Sequence, residues 1–131
     1  MSEMSEWEWC AVGTTFGDCP PKSWTLLGER ASTVSVLGAA GGAALVQFDD
    51  RVRLVGGCAQ AWPALDGTEC DGALGGAALC VVERGRLAVR VCIRALELDW
   101  HREEFSSPVR ACAVGESHCV VVLEGNMYNI N

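Results

Sequence analysis

For acid–base or nucleophilic chemistry the sequence offers two histidines, eight cysteines and 17 carboxylates. The densest group is Ser117-His118-Cys119, an imidazole set between a hydroxyl and a thiol. A Ser/His or Cys/His pair makes a nucleophile when the ring takes its proton. Neighbours along a strand point to opposite faces, so Ser117 and His118 cannot readily share a proton in an extended segment. Paired carboxylates stand at Asp49/Asp50 and Glu103/Glu104. A general acid/base pair needs an apolar setting that raises one pKa, and neither pair has one. His101, inside Asp99-Trp100-His101-Arg102-Glu103-Glu104, reads as exposed. Gly41-Gly42 and Gly75-Gly76 are not phosphate loops: no Lys-Ser/Thr follows them, and Lys22 is the single lysine. No cofactor and no catalytic residue is expected.

The eight cysteines, Cys10, Cys19, Cys58, Cys70, Cys80, Cys92, Cys112 and Cys119, suggest disulfides by their even number. Their setting argues for thiols. Cys80, Cys92 and Cys119 lie among Val, Ala and Leu, where a free thiol acts as a small hydrophobe. The start, Met1-Ser2-Glu3-Met4-Ser5-Glu6, is acidic, unlike a basic secretory leader. A reduced protein of nucleus or cytoplasm is the expectation. With no Cys-x-x-Cys and only two histidines, no zinc site is expected.

The tryptophans have two readings. Each contributes roughly 2–3 kcal/mol if buried in a core, or acts as a hot spot if exposed at an interface. Trp9 and Trp100 read as core. Trp7, alternating with Trp9, and Trp62, placed before Pro63 in a loop, are the candidate partner-binding residues. Net charge is −7 over 131 residues, which argues against binding naked nucleic acid through a broad basic face. An acidic surface more naturally meets a basic protein partner. Arg84, Arg86, Arg90 and Arg94 share one strand parity and are read as a solvated face. No membrane span is expected, because the longest uncharged stretch, Ala31 to Asp49, breaks at glycines.

The elements that must position these residues are strands. Three stretches repeat one another, led by Gly41-Gly42, Gly75-Gly76 and Gly115, at offsets of 34 and 40 residues. Each runs into a turn, at Asp49-Asp50, Arg84-Gly85 or Glu124-Gly125, and then a second apolar strand. The unit reads as a glycine-led inner strand, a tight turn, an outer strand and a longer return. Alternation of Leu96, Leu98 and Trp100 with Glu97 and Asp99 favours a strand over a short helix. Loops are expected at Gly17-Asp18-Cys19-Pro20-Pro21, from Pro63 to Gly72, and at Ser106-Ser107-Pro108. Strands at such a period point to propeller blades.

The third repeat, Val109 to Tyr128, resembles a blade of the regulator of chromosome condensation repeat family. Blades there read roughly Val-x-x-Val-x-Cys-Gly-x-x-His-Thr-x-Ala-Leu, then a turn with Gly, then Val-Tyr-x-Trp-Gly. Trp9-Cys10-Ala11-Val12-Gly13-Thr14-Thr15-Phe16-Gly17 resembles the family's Gly-x-Asn-x-x-Gly loop, one residue short and with Val12 in place of Trp. The first two repeats keep the glycines and the hairpin but lack the His. The resemblance implies an all-β partial propeller over 1–131, two to three blades built from Gly-led antiparallel hairpins. Degenerate blades are expected near 31–57 and 70–100, and a clearer one at 109–131. Complete propellers of this family have about seven blades, so the expectation is the N-terminal part of a longer protein or a truncated product, prone to self-association through open edges. By resemblance His118 is structural, as are Gly41, Gly42, Gly75, Gly76 and Gly115. The implied function is a non-enzymatic, chromatin- or chromosome-associated regulator that docks protein partners. One branch of the family implies a JmjC-type histone demethylase or hydroxylase as that partner. The alternative is nucleotide exchange on a Ran-like small GTPase.

Overall fold

The computed structural model describes residues 4–10, 25–56, 59–94, 97–115 and 118–130. The expected loop at Gly17–Pro21, most of the Trp9–Gly17 resemblance, Cys19, Cys58 and Ser117 lie outside them. Twelve strands among the described residues make four antiparallel sheets. Strand β1 (Ser5–Trp9) pairs with β2 (Thr25–Ala31). Strands β3 (Val34–Ala40), β4 (Ala43–Phe48) and β5 (Arg51–Val55) form a meander. A single 3-10 turn, Ala59–Ala61, leads into a four-stranded sheet of β6 (Glu69–Leu74), β7 (Ala78–Glu83), β8 (Ala88–Ile93) and β9 (Glu97–Glu104). The last sheet is β10 (Val109–Val114), β11 (Cys119–Leu123) and β12 (Asn126–Ile130). The chain is all-β, and β9 is a strand as its two-residue alternation requires.

The turn chemistry explains the pairing. Gly41 and Gly42, at φ of 60° and 81°, make the two-residue connection between β3 and β4, a conformation that favours glycine. Asp49 turns β4 into β5 with φ of 53°. Its carboxylate accepts hydrogen bonds from Ser32 Oγ and from the Thr33 amide and hydroxyl, at 2.9–3.0 Å. Those bonds, the Ser32 hydroxyl first, hold the Asp49 carboxyl below its ordinary pKa.

The core lies between the sheets. Trp7, Trp9, Leu27 and Ala31 of the first sheet pack on Ala44, Val46, Phe48 and Val55 of the second. The opposite parity of β4, Ala43 and Leu45, packs with Leu74, Leu79, Val81 and Cys92 of the third. The other face of that sheet, Ala78, Cys80, Val82, Val89 and Val91, packs on Val109, Cys119, Val121 and Leu123 of the fourth. Consecutive sheets thus stack face to face in chain order, as consecutive propeller blades do.

Two expectations about the elements need correction. The glycine-led strands β4, β7 and β11 are not innermost: each is the second strand of its meander, with β3, β6 or β10 before it. It is β3, β6 and β10 that approach one another from sheet to sheet, and these carry the small residues. At Gly38 an added Cβ would lie 2.2 Å from the Leu74 carbonyl oxygen of the next sheet, and at Gly72 it would lie 2.4 Å from the Cys80 carbonyl oxygen of the paired strand and 3.0 Å from Leu45 Cδ2 of the second sheet. Only a missing side chain allows that approach. The loop expected from Pro63 to Gly72 ends at Thr68, because Glu69–Leu74 is the strand that bears these contacts. No described helix is long and apolar enough to cross a membrane.

Candidate functional site

The segment after β5 lines an open groove. Ala59 N donates to the Gly56 carbonyl (3.2 Å) and Trp62 N to that of Ala59 (3.3 Å), which coils the chain back beside β5. This turns the Trp62 ring into the core made by Ala43, Leu45, Leu79 and Val81. Trp62 is only 5% exposed. The ring is core, and the residue also lines a cleft of about 670 Å³. That volume lies within the range of about 300–1,000 Å³ common for ligand sites. Val52, Arg53 and Leu54 form one wall; Ala59, Trp62–Leu65 and Gly67 form the other.

The polar groups of the groove are donors. Arg53 donates through Nη1 to the Leu27 carbonyl. The Arg94 guanidinium stacks 4.7 Å from the centre of the Trp62 ring, a cation–π contact. Trp62 Nε1 is buried with no hydrogen-bond partner among the described residues. An unmade bond of this kind costs about 1–3 kcal/mol.

A charged network fixes the far end of the groove. Glu69 is 1% exposed. It accepts from the amides of Asp66 and Gly67, each at 3.0 Å, and pairs with Arg90 Nη2. Arg90 also lies 3.4 Å from Asp66 and from Glu83, and 5.1 Å over the Trp100 ring. Asp66 accepts from the Thr68 hydroxyl at 2.6 Å and amide at 2.9 Å. These bonds, with smaller help from Glu69 and Arg90, lower its pKa to about 2. The expected solvated arginine face is thereby corrected. Arg90 is buried. Arg86 bridges sheets by donating to Asp71 at 2.8 Å and to the Val109 carbonyl at 2.6 Å. Arg94 is exposed and covers Trp62, and Arg84 is an exposed turn residue. The signal for Arg90 was a lone cation inside Val89-Arg90-Val91-Cys92-Ile93, apolar on both parities.

The remaining sequence candidates fall elsewhere. Trp7 is half-buried and donates from Nε1 to the Ala31 carbonyl at 2.9 Å, beside a separate cleft of about 260 Å³ shared with Trp9 and Leu27. The two candidate tryptophans thus do not share one site. The His118 ring packs against Gly115, with Cε1 3.5 Å from where a Gly115 Cβ would stand, and the Gly115 amide donates to the His118 carbonyl at 2.8 Å. Gly75 closes the equivalent hairpin through Ala78 O at 3.0 Å and abuts Val114 of the next sheet. Gly76 has open space where a side chain would go. Cys119 is fully buried, its thiol hydrogen-bonded to Cys80. Cys80 meets Cys112 as well, and these contacts, ahead of burial, raise its pKa far above the usual thiol range. Cys10, Cys70, Cys80, Cys92, Cys112 and Cys119 are free thiols. Sequence reasoning missed Arg53 and Glu69, since nothing local sets them apart from surface charges.

Comparison with protein-family models, curated proteins and solved structures finds no match. The class defined by the geometry is an all-β stack of antiparallel meanders carrying an open, largely apolar groove.

Proposed function

We propose that the chain is a non-enzymatic protein-interaction module. From its resemblance to regulator of chromosome condensation repeats, we propose further a chromatin- or chromosome-associated regulator that docks a JmjC-type histone demethylase or hydroxylase. The single observation that carries the interaction reading is the Trp62 groove. It is open and aromatic-walled, and its described lining residues offer apolar surface and a guanidinium rather than carboxylates, imidazoles or thiols. Such a surface recognises by shape and hydrogen bonding.

The test is interferometry with an immobilised JmjC-type hydroxylase. Binding is expected, and Ala64→Trp, which fills the groove from an exposed position, weakens it about tenfold at an unchanged melting temperature. Absence of binding by the native chain overturns the partner, and equal binding by Ala64→Trp overturns the groove as the docking surface. Faster nucleotide release from a Ran-like GTPase in the presence of the chain would replace this reading with exchange activity.

A further inference from the structure

The second sheet is one strand shorter than the third. In the third, β9 pairs along the outer edge of β8. In the second, β5 pairs with β4 on one side, and among the described residues no strand pairs its other edge. That edge is where the groove runs. Val52, Arg53 and Leu54 are consecutive, and all three line it. Alternate side chains of a strand point to opposite faces, so a cleft touching three in a row follows the backbone edge and not one face. An edge strand presents outward N–H and C=O groups that a further strand can pair.

The charge of the groove indicates what kind of strand. Arg30, Arg51, Arg86, Arg90 and Arg102 each form an ion pair. Arg53, Arg84, Arg94 and Arg110 form none among the described residues. Two of these four stand at the groove: Arg53 lines it, and Arg94 lies over the tryptophan that walls it. In a chain of net charge −7, two cations without a carboxylate partner among the described residues, one lining the apolar cleft and one over its tryptophan, make a local site for carboxylates.

We infer that this groove takes an extended acidic peptide segment of a partner protein, which adds to β5 as the fourth strand of its sheet, with carboxylates toward Arg53 and Arg94 and apolar side chains against Trp62 and Leu65. This rests on the interaction reading above and names the chemistry of the partner.

The experiment is fluorescence anisotropy of the full chain with three short labelled peptides: one alternating Glu and Val, one with Lys for Glu, and one acidic but N-methylated at alternate amides. The acidic peptide is expected to bind at low salt, and the lysine peptide at least about tenfold more weakly. N-methylation abolishes binding, because it removes the ladder donors. Arg53→Glu and Arg94→Glu each invert the charge preference, and Arg53→Gln weakens acidic binding in a chain that circular dichroism shows still folded at the assay temperature. Saturation slows hydrogen exchange at the Val52–Leu54 amides. Equal binding of acidic and basic peptides, retained binding after N-methylation, or unchanged exchange along β5 overturns the inference. If the hydroxylase still binds while the acidic peptide does not, this inference alone fails. If the peptide binds and the hydroxylase does not, the partner reading fails and the strand site stands.

Discussion

The third and fourth sheets are built from near-identical runs and meet opposite fates. Ala78-Leu79-Cys80-Val81-Val82 of β7 and Cys119-Val120-Val121-Val122-Leu123 of β11 are equally apolar. All five positions of the first run are buried. In the second, Cys119, Val121 and Leu123 are buried, Val120 is half-buried and Val122 is 38% exposed. The difference is the number of neighbours. The β6–β9 sheet lies between two others, so both parities of β7 meet a packed face, whereas β11 turns one parity to the β6–β9 sheet. Uniform apolarity is the mark of a strand covered on both faces. In β11 the same mark is present while only one face is covered by described residues.

The sharpest way to break this contrast is at the buried charge. Glu69→Ala leaves Arg90 without its closest carboxylate inside the central sheet. Thermal or urea unfolding is expected to show a loss of about 3–5 kcal/mol. Glu124→Ala, at the exposed turn between β11 and β12, is expected to change stability by less than about 0.5 kcal/mol. Next in size is a matched pair of methyl deletions. Val81→Ala, fully buried, should lose about 2 kcal/mol from transfer and cavity terms. Val122→Ala should lose less than about 0.5 kcal/mol. Equal losses would mean that β11 is covered in solution on its second face as well.

The smallest effect is one of pH. Asp66 has a folded pKa of about 2, below its unfolded value of about 3.9. The stability it supplies is therefore complete above about pH 4 and is lost as pH falls through about 2. A carboxyl titration by NMR checks the midpoint, with amide exchange at Gly67 and Thr68 reporting the loosened loop. Thr68→Val, which removes the leading hydrogen bond, raises the midpoint.

Much of the fold was legible from the sequence because turns announce themselves. Asp49-Asp50, Arg84-Gly85 and Glu124-Gly125 mark the hairpins by residues that tolerate positive φ, and β9 shows its two-residue period despite a helical alternative. Strand β6 was hidden for a physical reason. Glu69-Cys70-Asp71-Gly72 has the composition of a loop, but each polar residue has a distant partner: Glu69 takes Arg90, and Asp71 takes Arg86. Gly72 is there for a close approach, not a turn. Those partners lie 15 to 21 residues away, beyond the reach of any local pattern. The candidate site was half legible. Trp62 stood out as a loop aromatic before proline. Arg53 and Arg94 gain their meaning only from the edge of β5, unpaired among the described residues, and from the ring beneath Arg94.

The stacking order also bears on how the chain comes to be folded. Among the described residues every substantial contact between sheets joins one sheet to the next in the chain. A nascent polypeptide emerging from its N-terminus can therefore lay down each meander on a template already in place, and no sheet waits for a distant one. Stability should grow by increments along such a stack, each interface contributing as its second face arrives. Lengthening or shortening it by one meander leaves the earlier interfaces intact, which makes the architecture tolerant of unit-by-unit change over evolutionary time.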